Sequence, residues 1–406
     1  MGKAIYDMIR ENLDRDGRLP EGFVLPGEDA GASRWERFVT WLWGVGGVFI
    51  FWRPKKDGFF KENRVMARYY MNEGMEKRTA EKIARVIRLD LDRGSDSREK
   101  IDARLRGYKY DTSSLIDWVV GFLEEDWPRL EGYARSLALH SSRLELVKLG
   151  IALLGLTYSG DPVVHQAVAT LGLCTALTRR VCLAVSFWKD TRGNDAAFFI
   201  AQKLEGNWQK SDGFLKRVVV GQLKPETEEI RRWMLCYGWN CCPPPRLRCA
   251  EDGDMIGALR QETLDDELYD GIAAIIDLLL VEIDRNGISS YEHAEEALSR
   301  YLHFAGRQCK TLRHLLYMLN LWDWFEVYCF QDSYGYEYEG EVKNLTLSNL
   351  DELWSLCAEI IHRPHWSGVI REALDSVDSD ERERAREAAT RLEALFYDPE
   401  EEDNHA

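Results

Sequence analysis

Apolar and polar positions recur along most of this chain with the period of a helix. Between Thr263 and Asp284 the apolar residues fall at Leu264, Leu268, Ile272, Ile275, Ile276, Leu279 and Ile283, a spacing that lines one helix face. Thr263 with Asp266 supplies an N-terminal cap and Asn286-Gly287 a stop. Ser289 with Glu292 has capping-box spacing and opens the next helix. Leu312, Leu315, Leu316, Leu319, Trp322 and Phe325 mark another. Upstream, Ser142 with Glu145 starts a strongly apolar helix that runs to about Leu156. Asp161-Pro162 caps the one after it, with proline at the first helical position, where its missing N–H costs nothing. Pro225 takes the same place ahead of Glu226, Glu228 and Glu229, whose charges suit a helix N-terminus. Ser348 with Asp351 and then Pro364 open two more. A charged helix from Asp380 to Phe396 leads into an acidic tail.

Strand-like alternation is confined to Val45–Trp52 and Tyr334–Val342. The pattern therefore predicts an all-α fold with room for a small N-terminal β element. Helix starts near 142, 161, 194, 225, 263, 289, 311 and 348 follow no strict period, and no sequence motif repeats. Stacked helix pairs bury their faces against neighbours alone. The expected architecture is thus a degenerate HEAT/armadillo-like helical repeat, an α-solenoid, with an irregular helical globule as the alternative. Three regions are expected: 1–60, an N-terminal helix and a Trp-rich apolar segment; 61–346, the array; and 347–406, capping helices and the tail.

Composition fits this picture. The chain has 406 residues, 45% hydrophobic and 11% aromatic, with 14 Trp and 11 Pro. That is ample material for a core, and scarce proline suits long helical stretches. The most membrane-like run, Phe38–Trp52, has 15 residues and contains Gly44, Gly46 and Gly47. It falls short of the roughly 17–25 residues of a spanning helix and reads as a buried core segment. Lys3 to Leu13 is charged throughout and has no apolar leader core, and nine Cys is an odd count, so reduced thiols in a cytoplasm are expected.

Several stretches carry a resemblance. They are Met1-Gly2-Lys3-Ala4-Ile5-Tyr6-Asp7 with Leu19-Pro20 and Leu25-Pro26; Leu146-Val147-Lys148-Leu149-Gly150; Gly193-Asn194-Asp195 leading to Ala201-Gln202-Lys203; and the run from Leu223 through Pro225 to Trp233. Together they resemble a family of bacterial proteins of about this length that carries the label limonene hydroxylase. The similarity spans residues 1–30 and about 140–305, and Pro225–Trp233 is its most specific part. The Trp-rich segment 35–52 and the Cys241-Cys242-Pro243-Pro244-Pro245 stretch depart from it. The label implies a monooxygenase, and the resemblance brings no catalytic residue with it.

Hydroxylating an unactivated C–H bond needs haem, a di-iron site, non-haem iron or flavin. Cys309, the nearest approach to a haem-thiolate loop, lies in a charged helix connector. A di-iron bundle needs two Glu-x-x-His pairs, and Glu359 with His362 is one. His293-Ala294-Glu295 has the spacing of a facial triad but falls in a polar helix. Gly44-Val45-Gly46-Gly47 lacks the third glycine of a dinucleotide loop. Gly-x-Ser-x-Gly, His-Glu-x-x-His and P-loop motifs are absent. Four thiols, Cys236, Cys241, Cys242 and Cys249, are candidate zinc ligands, although their spacing matches no zinc knuckle and a proline-rich interhelical loop is the plainer reading.

Charge completes the functional expectation. With 53 Lys and Arg against 69 Asp and Glu, the net charge is −16, which disfavours wholesale wrapping of nucleic acid. The charge is uneven: residues 53–109 hold 17 Lys and Arg against 10 Asp and Glu, together with Tyr69, Tyr70, Tyr108 and Tyr110. Aromatic stripes at Trp322, Trp324, Phe325, Tyr328 and Phe330 read mainly as core. The Tyr-rich stretch Tyr334, Tyr336 and Tyr338, with Arg231 and Arg232, is the expected interaction surface. The leading expectation is a non-catalytic, cofactor-free protein-interaction scaffold whose acidic array receives a protein with a basic surface. The alternatives are the hydroxylase that the resemblance implies, and anion or nucleic-acid binding through residues 53–109.

Overall fold

The computed structural model describes residues 2–20, 22–25, 73–108, 112–157, 160–188, 191–204, 213–241, 245–281, 287–330, 334–338, 341–345 and 349–396. The fold is all-α, and the chain divides into two compact units, Met1–Lys224 and Pro225–Ala406. Val45–Trp52, the expected β element, lies outside the described residues. In the second expected stretch, β1 (Tyr334–Tyr338) pairs antiparallel with β2 (Glu341–Leu345), with Tyr334 opposite Leu345, Tyr336 opposite Lys343 and Tyr338 opposite Glu341.

The first unit contains α1 (Ile5–Glu11), α2 (Glu73–Arg93), α3 (Arg98–Arg106), α4 (Thr112–Phe122), α5 (Trp127–His140), α6 (Leu144–Thr157), α7 (Pro162–Leu171), α8 (Thr175–Val185), α9 (Arg192–Leu204) and α10 (Gly213–Gln222). Its packing is sequential. Helices α2, α4, α6, α8 and α10 touch in a row, each meeting the next; α5, α7 and α9 form a second row, and α1 lies on α5 and α7. Helix α6 is the hub, meeting α3, α4, α5 and α8. Its Leu146, Val147, Leu149, Ile151, Leu153 and Leu154 are all buried, and a helix that is apolar all round must be enclosed on all sides. Enclosure demands close approach. A Cβ on Gly150 would lie 2.8 Å from Leu137 Cβ and 2.9 Å from the Ala134 carbonyl oxygen, and closer still to the Ala138 nitrogen, all on α5.

Polar groups tie the rows together. Asp102 is fully buried and accepts hydrogen bonds from Arg143 (2.8 Å) and Arg106. Buried Arg180 pairs with Asp117 and donates to the Ser113 carbonyl at 2.9 Å. The N-terminal segment is held by the Ile5 amide on the Ser141 carbonyl (2.9 Å) and by Lys203 Nζ on the Asp16 carbonyl (2.6 Å). Asn194 grips Lys224 at both backbone groups, at 3.0 and 2.8 Å, so two of the stretches behind the resemblance meet in space.

The second unit contains α11 (Glu228–Trp233), a π turn (Met234–Gly238), α12 (Arg246–Asp252), α13 (Met255–Leu259), α14 (Asp266–Val281), α15 (Ala294–Gln308), α16 (Leu312–Phe330), β1, β2, α17 (Leu350–Ile361), α18 (Trp366–Leu374) and α19 (Ser379–Phe396). Two rows recur here: α12, α14 and α16, and α13, α15 and α17. Helix α14 is the counterpart of α6, with Leu268, Ile272, Ala273, Ile275, Ile276 and Leu279 buried. The π turn lies on it backbone to backbone, and a Cβ on Gly271 would stand 2.7 Å from Cys236 Cα.

Several expected helix starts shift. Asp161 does cap α7, accepting from the Val163 amide at 2.9 Å, and Pro162 is its first residue. Pro225 does not open α11. Thr227 does, accepting from the Ile230 amide at 3.2 Å, while the Pro225 carbonyl accepts from Arg231. Asp265 rather than Thr263 accepts an amide hydrogen bond at the start of α14, from Leu268. Ser289 lies in a short 3-10 turn, Ile288–Ser290, and α15 begins only at Ala294. In each case more than one polar residue competes for the exposed amides, and the local pattern does not decide among them.

Glycine positions give a clean test. Gly→Ala in a helix interior raises helix propensity by about 1 kcal/mol, whereas overpacking a tight contact costs roughly 1–3 kcal/mol. Gly132→Ala on α5, where the new methyl meets nothing within 4 Å, is expected to raise stability in urea denaturation by a few tenths to about 1 kcal/mol. Gly150→Ala is expected to lower it. Equal effects of one sign would refute the close contact.

Candidate interaction site

Of the residues singled out in the sequence, Arg232 reaches the N-terminal end of α14, with Arg231 next to it in the chain. There the N-termini of α11 and α14 present exposed carboxylates at Glu226, Glu228, Glu229, Glu262, Asp265, Asp266, Glu267 and Asp270. Three cations stand among them. Arg231 is held by Glu228 at 3.1 Å and by the Pro225 carbonyl at 2.9 Å. Arg232 is bidentate to Asp265, at 2.7 and 2.9 Å, and also reaches Glu267 at 2.8 Å. Lys310 approaches Asp266 at 4.0 Å. Both arginines are thus committed to bonds within the unit, and carboxylates are in excess around them.

Electrostatics follow from these contacts. The hydrogen bonds from Arg232 push Asp265 down to about 2. Glu267 is lowered by the Tyr237 hydroxyl first and by Arg232 second. Because the side chains of Arg232 and Asp265 are well exposed, water screens the pair and its net contribution stays near or below about 1 kcal/mol. Asp265 and Glu267 therefore keep their negative charge to lower pH than free carboxylates do.

Beneath the rim lies a buried cluster. Tyr269 stacks on Tyr301 at 5.9 Å and meets His314 edge-on at 5.1 Å. His314 Nδ1 accepts the Lys310 amide at 3.3 Å, which leaves the proton on Nε2 to donate to Asp270 at 2.8 Å. Burial lowers the His314 pKa from its ordinary 6.5, and Asp270 offsets this only in part. Burial raises both phenols and pushes the Cys309 thiol up to about 12. A protonated thiol is a weak nucleophile, and this one belongs to the packing.

The described thiols of the sequence cluster lie on different elements. Cys236 is buried on the π turn and pushed up to about 12 by desolvation; Cys249 is buried on α12; half-buried Cys241 points its thiol to the Gly238 carbonyl at 3.6 Å. Cys242 lies outside the described residues. Among the described residues no three His, Cys, Asp or Glu side chains gather as metal ligands. No protein-family model, curated protein or solved structure matches this chain.

The other expected sites are scattered. His293 precedes the first residue of α15 and Glu295 lies in its first turn. Glu359 and His362 lie at the C-terminal end of α17. Tyr334, Tyr336 and Tyr338 fall on β1. In the basic segment, Arg88, Arg98 and Arg106 are paired with Asp126, Asp96 and Asp102, so part of its charge is neutralised locally. The bridges from Arg232 to Asp265 and Glu267 and the His314–Asp270 pair had escaped the sequence reading. The only signal for the first was the facing of two charge runs, Arg231-Arg232 and Asp265-Asp266-Glu267, 33 to 35 residues apart.

The buried histidine predicts a pH dependence. Folded His314 resists a proton that the unfolded chain accepts near 6.5, so the unfolded state binds more protons below that pH and stability falls as pH drops. Denaturant unfolding from about pH 7.5 to about pH 5 should show this slope, reduced in His314→Asn. Parallel curves for the two proteins would contradict it.

Proposed function

We propose that this chain is a non-catalytic interaction scaffold, a degenerate helical repeat whose second unit receives a basic segment of another protein. One observation carries the reading. Charge is divided along the unit boundary: Met1–Lys224 holds 36 Lys and Arg against 30 Asp and Glu, and Pro225–Ala406 holds 17 against 39. A net charge of −22 on one unit attracts and steers cationic partners.

The row packing within each unit supports the repeat reading, since neighbours bury one another's faces without long crossings. The rim at α11 and α14 supports the partner class, because its eight exposed carboxylates outnumber Arg231, Arg232 and Lys310, the cations that pair with it. No helix among the described residues is long and apolar enough to cross a membrane. A reducing cytoplasm suits the seven described cysteines, all free thiols.

Fluorescence anisotropy with labelled oligolysine and oligoglutamate tests the partner class. Oligolysine should bind the full chain with an affinity that falls steeply as salt rises, and oligoglutamate should not bind. The combined substitution Glu229→Gln, Glu262→Gln and Asp266→Asn should weaken oligolysine binding by about tenfold at low salt. Absence of oligolysine binding, or an affinity indifferent to salt and to these substitutions, would overturn the proposal.

A further inference from the structure

The second unit holds a cleft of about 580 Å³ where the end of α17, α18 and α19 meet. This is within the usual size of small-ligand sites. Its walls are mostly apolar, formed by Ile361, Trp366, Ile370, Leu374, Ala389 and Leu392. Trp366 is fixed there: its indole N–H donates to the Ile360 carbonyl at 2.8 Å and the His365 ring lies tilted against it at 4.0 Å. Leu374 is 37% exposed and Val377, three residues on, is 99% exposed, so this end of the unit shows water an apolar surface that a ligand would cover.

The cleft is also cationic, against the charge of its surroundings. Arg363 and Arg371 line it, with His362 beside them and Glu393 as the one carboxylate. In this unit Arg231, Arg232, Arg248, Arg260, Arg300 and Arg391 each have a carboxylate partner. Arg363 and Arg371 form no ion pair with a described residue. Arg363, whose guanidinium also passes close to Gly306 of α15, and Arg371 thus border an apolar cleft with no carboxylate of their own, and a guanidinium offers a forked donor pair to an anion.

We propose that this cleft binds a small amphiphilic carboxylate, its apolar tail against Trp366, Ile370 and Leu392 and its head group on Arg363 and Arg371. The site shares no residue with the acidic rim and does not depend on the scaffold reading. A neutral or cationic amphiphile of equal length would bury the same apolar area but leave the guanidiniums unmatched, so head-group charge is the discriminating variable.

Calorimetric titration of the full chain with decanoate, and separately with decyltrimethylammonium, tests this below their micelle concentrations. Decanoate should bind saturably, one per chain, and the ammonium at least about tenfold more weakly. Arg363→Gln with Arg371→Gln should cost decanoate about tenfold or more, with the circular dichroism spectrum and Tm unchanged. Leu374→Asp, at an exposed wall position, should weaken decanoate too and decides the matter if the arginine variant does not fold. Equal affinity for both head groups, decanoate binding indifferent to these substitutions, or no saturable binding would overturn the assignment.

Discussion

At Gly150 the backbones of α5 and α6 come so close that a single methyl group would strike Leu137, Ala134 and Ala138. The rest of the first unit depends on that contact. A helix with apolar residues on every side is stable in water only if it is wrapped completely, and α6 is wrapped by α3, α4, α5 and α8. Gly155 extends the constraint, since a Cβ there would stand 2.9 Å from Ala184 Cα on α8. In the second unit Gly271 does for α14 and the π turn what Gly150 does for α6 and α5. Such contacts leave the interior no slack, and small volume changes are felt in stability.

The interiors of the two units are alike and their surfaces are not. Both bury Leu, Ile, Val and Ala in rows of sequentially packed helices. Each interior contains a buried polar group tied to its neighbours, Asp102 to Arg143 and Arg106 in the first and His314 to Asp270 and the Lys310 amide in the second. Described thiols such as Cys182, Cys236 and Cys309 are pushed up to about 12 by burial, so they stay protonated. What distinguishes the units is the placement of formal charge: a modest excess of cations in one, a large excess of carboxylates in the other.

The elements readable from sequence are those whose boundary and face are set by adjacent residues. Asp161-Pro162 is one, because the cap and the helix it closes lie within two residues of each other. The apolar spacing from Leu312 to Phe325 and the charged run from Asp380 to Phe396 likewise fall on helices as read. Boundaries slipped where several caps compete, at Thr227, Asp265 and Ala294. The candidate site was legible only in part: Arg231 and Arg232 were marked as surface cations, but a guanidinium's partner is chosen by which helices become neighbours. Leu146-Val147-Lys148-Leu149-Gly150 was visible as an apolar helical stretch, whereas the reason for its glycine exists only once α5 is beside it.

Hydrogen exchange of the native chain, followed by mass spectrometry, reads the central claim directly, because exchange reports which segments open only with their whole unit. The account predicts that α6 is the slowest segment of the first unit and α14 of the second, with the short α1 and the largely exposed α19 exchanging much faster. Exchange in α6 or α14 as fast as in α1 and α19 would contradict it.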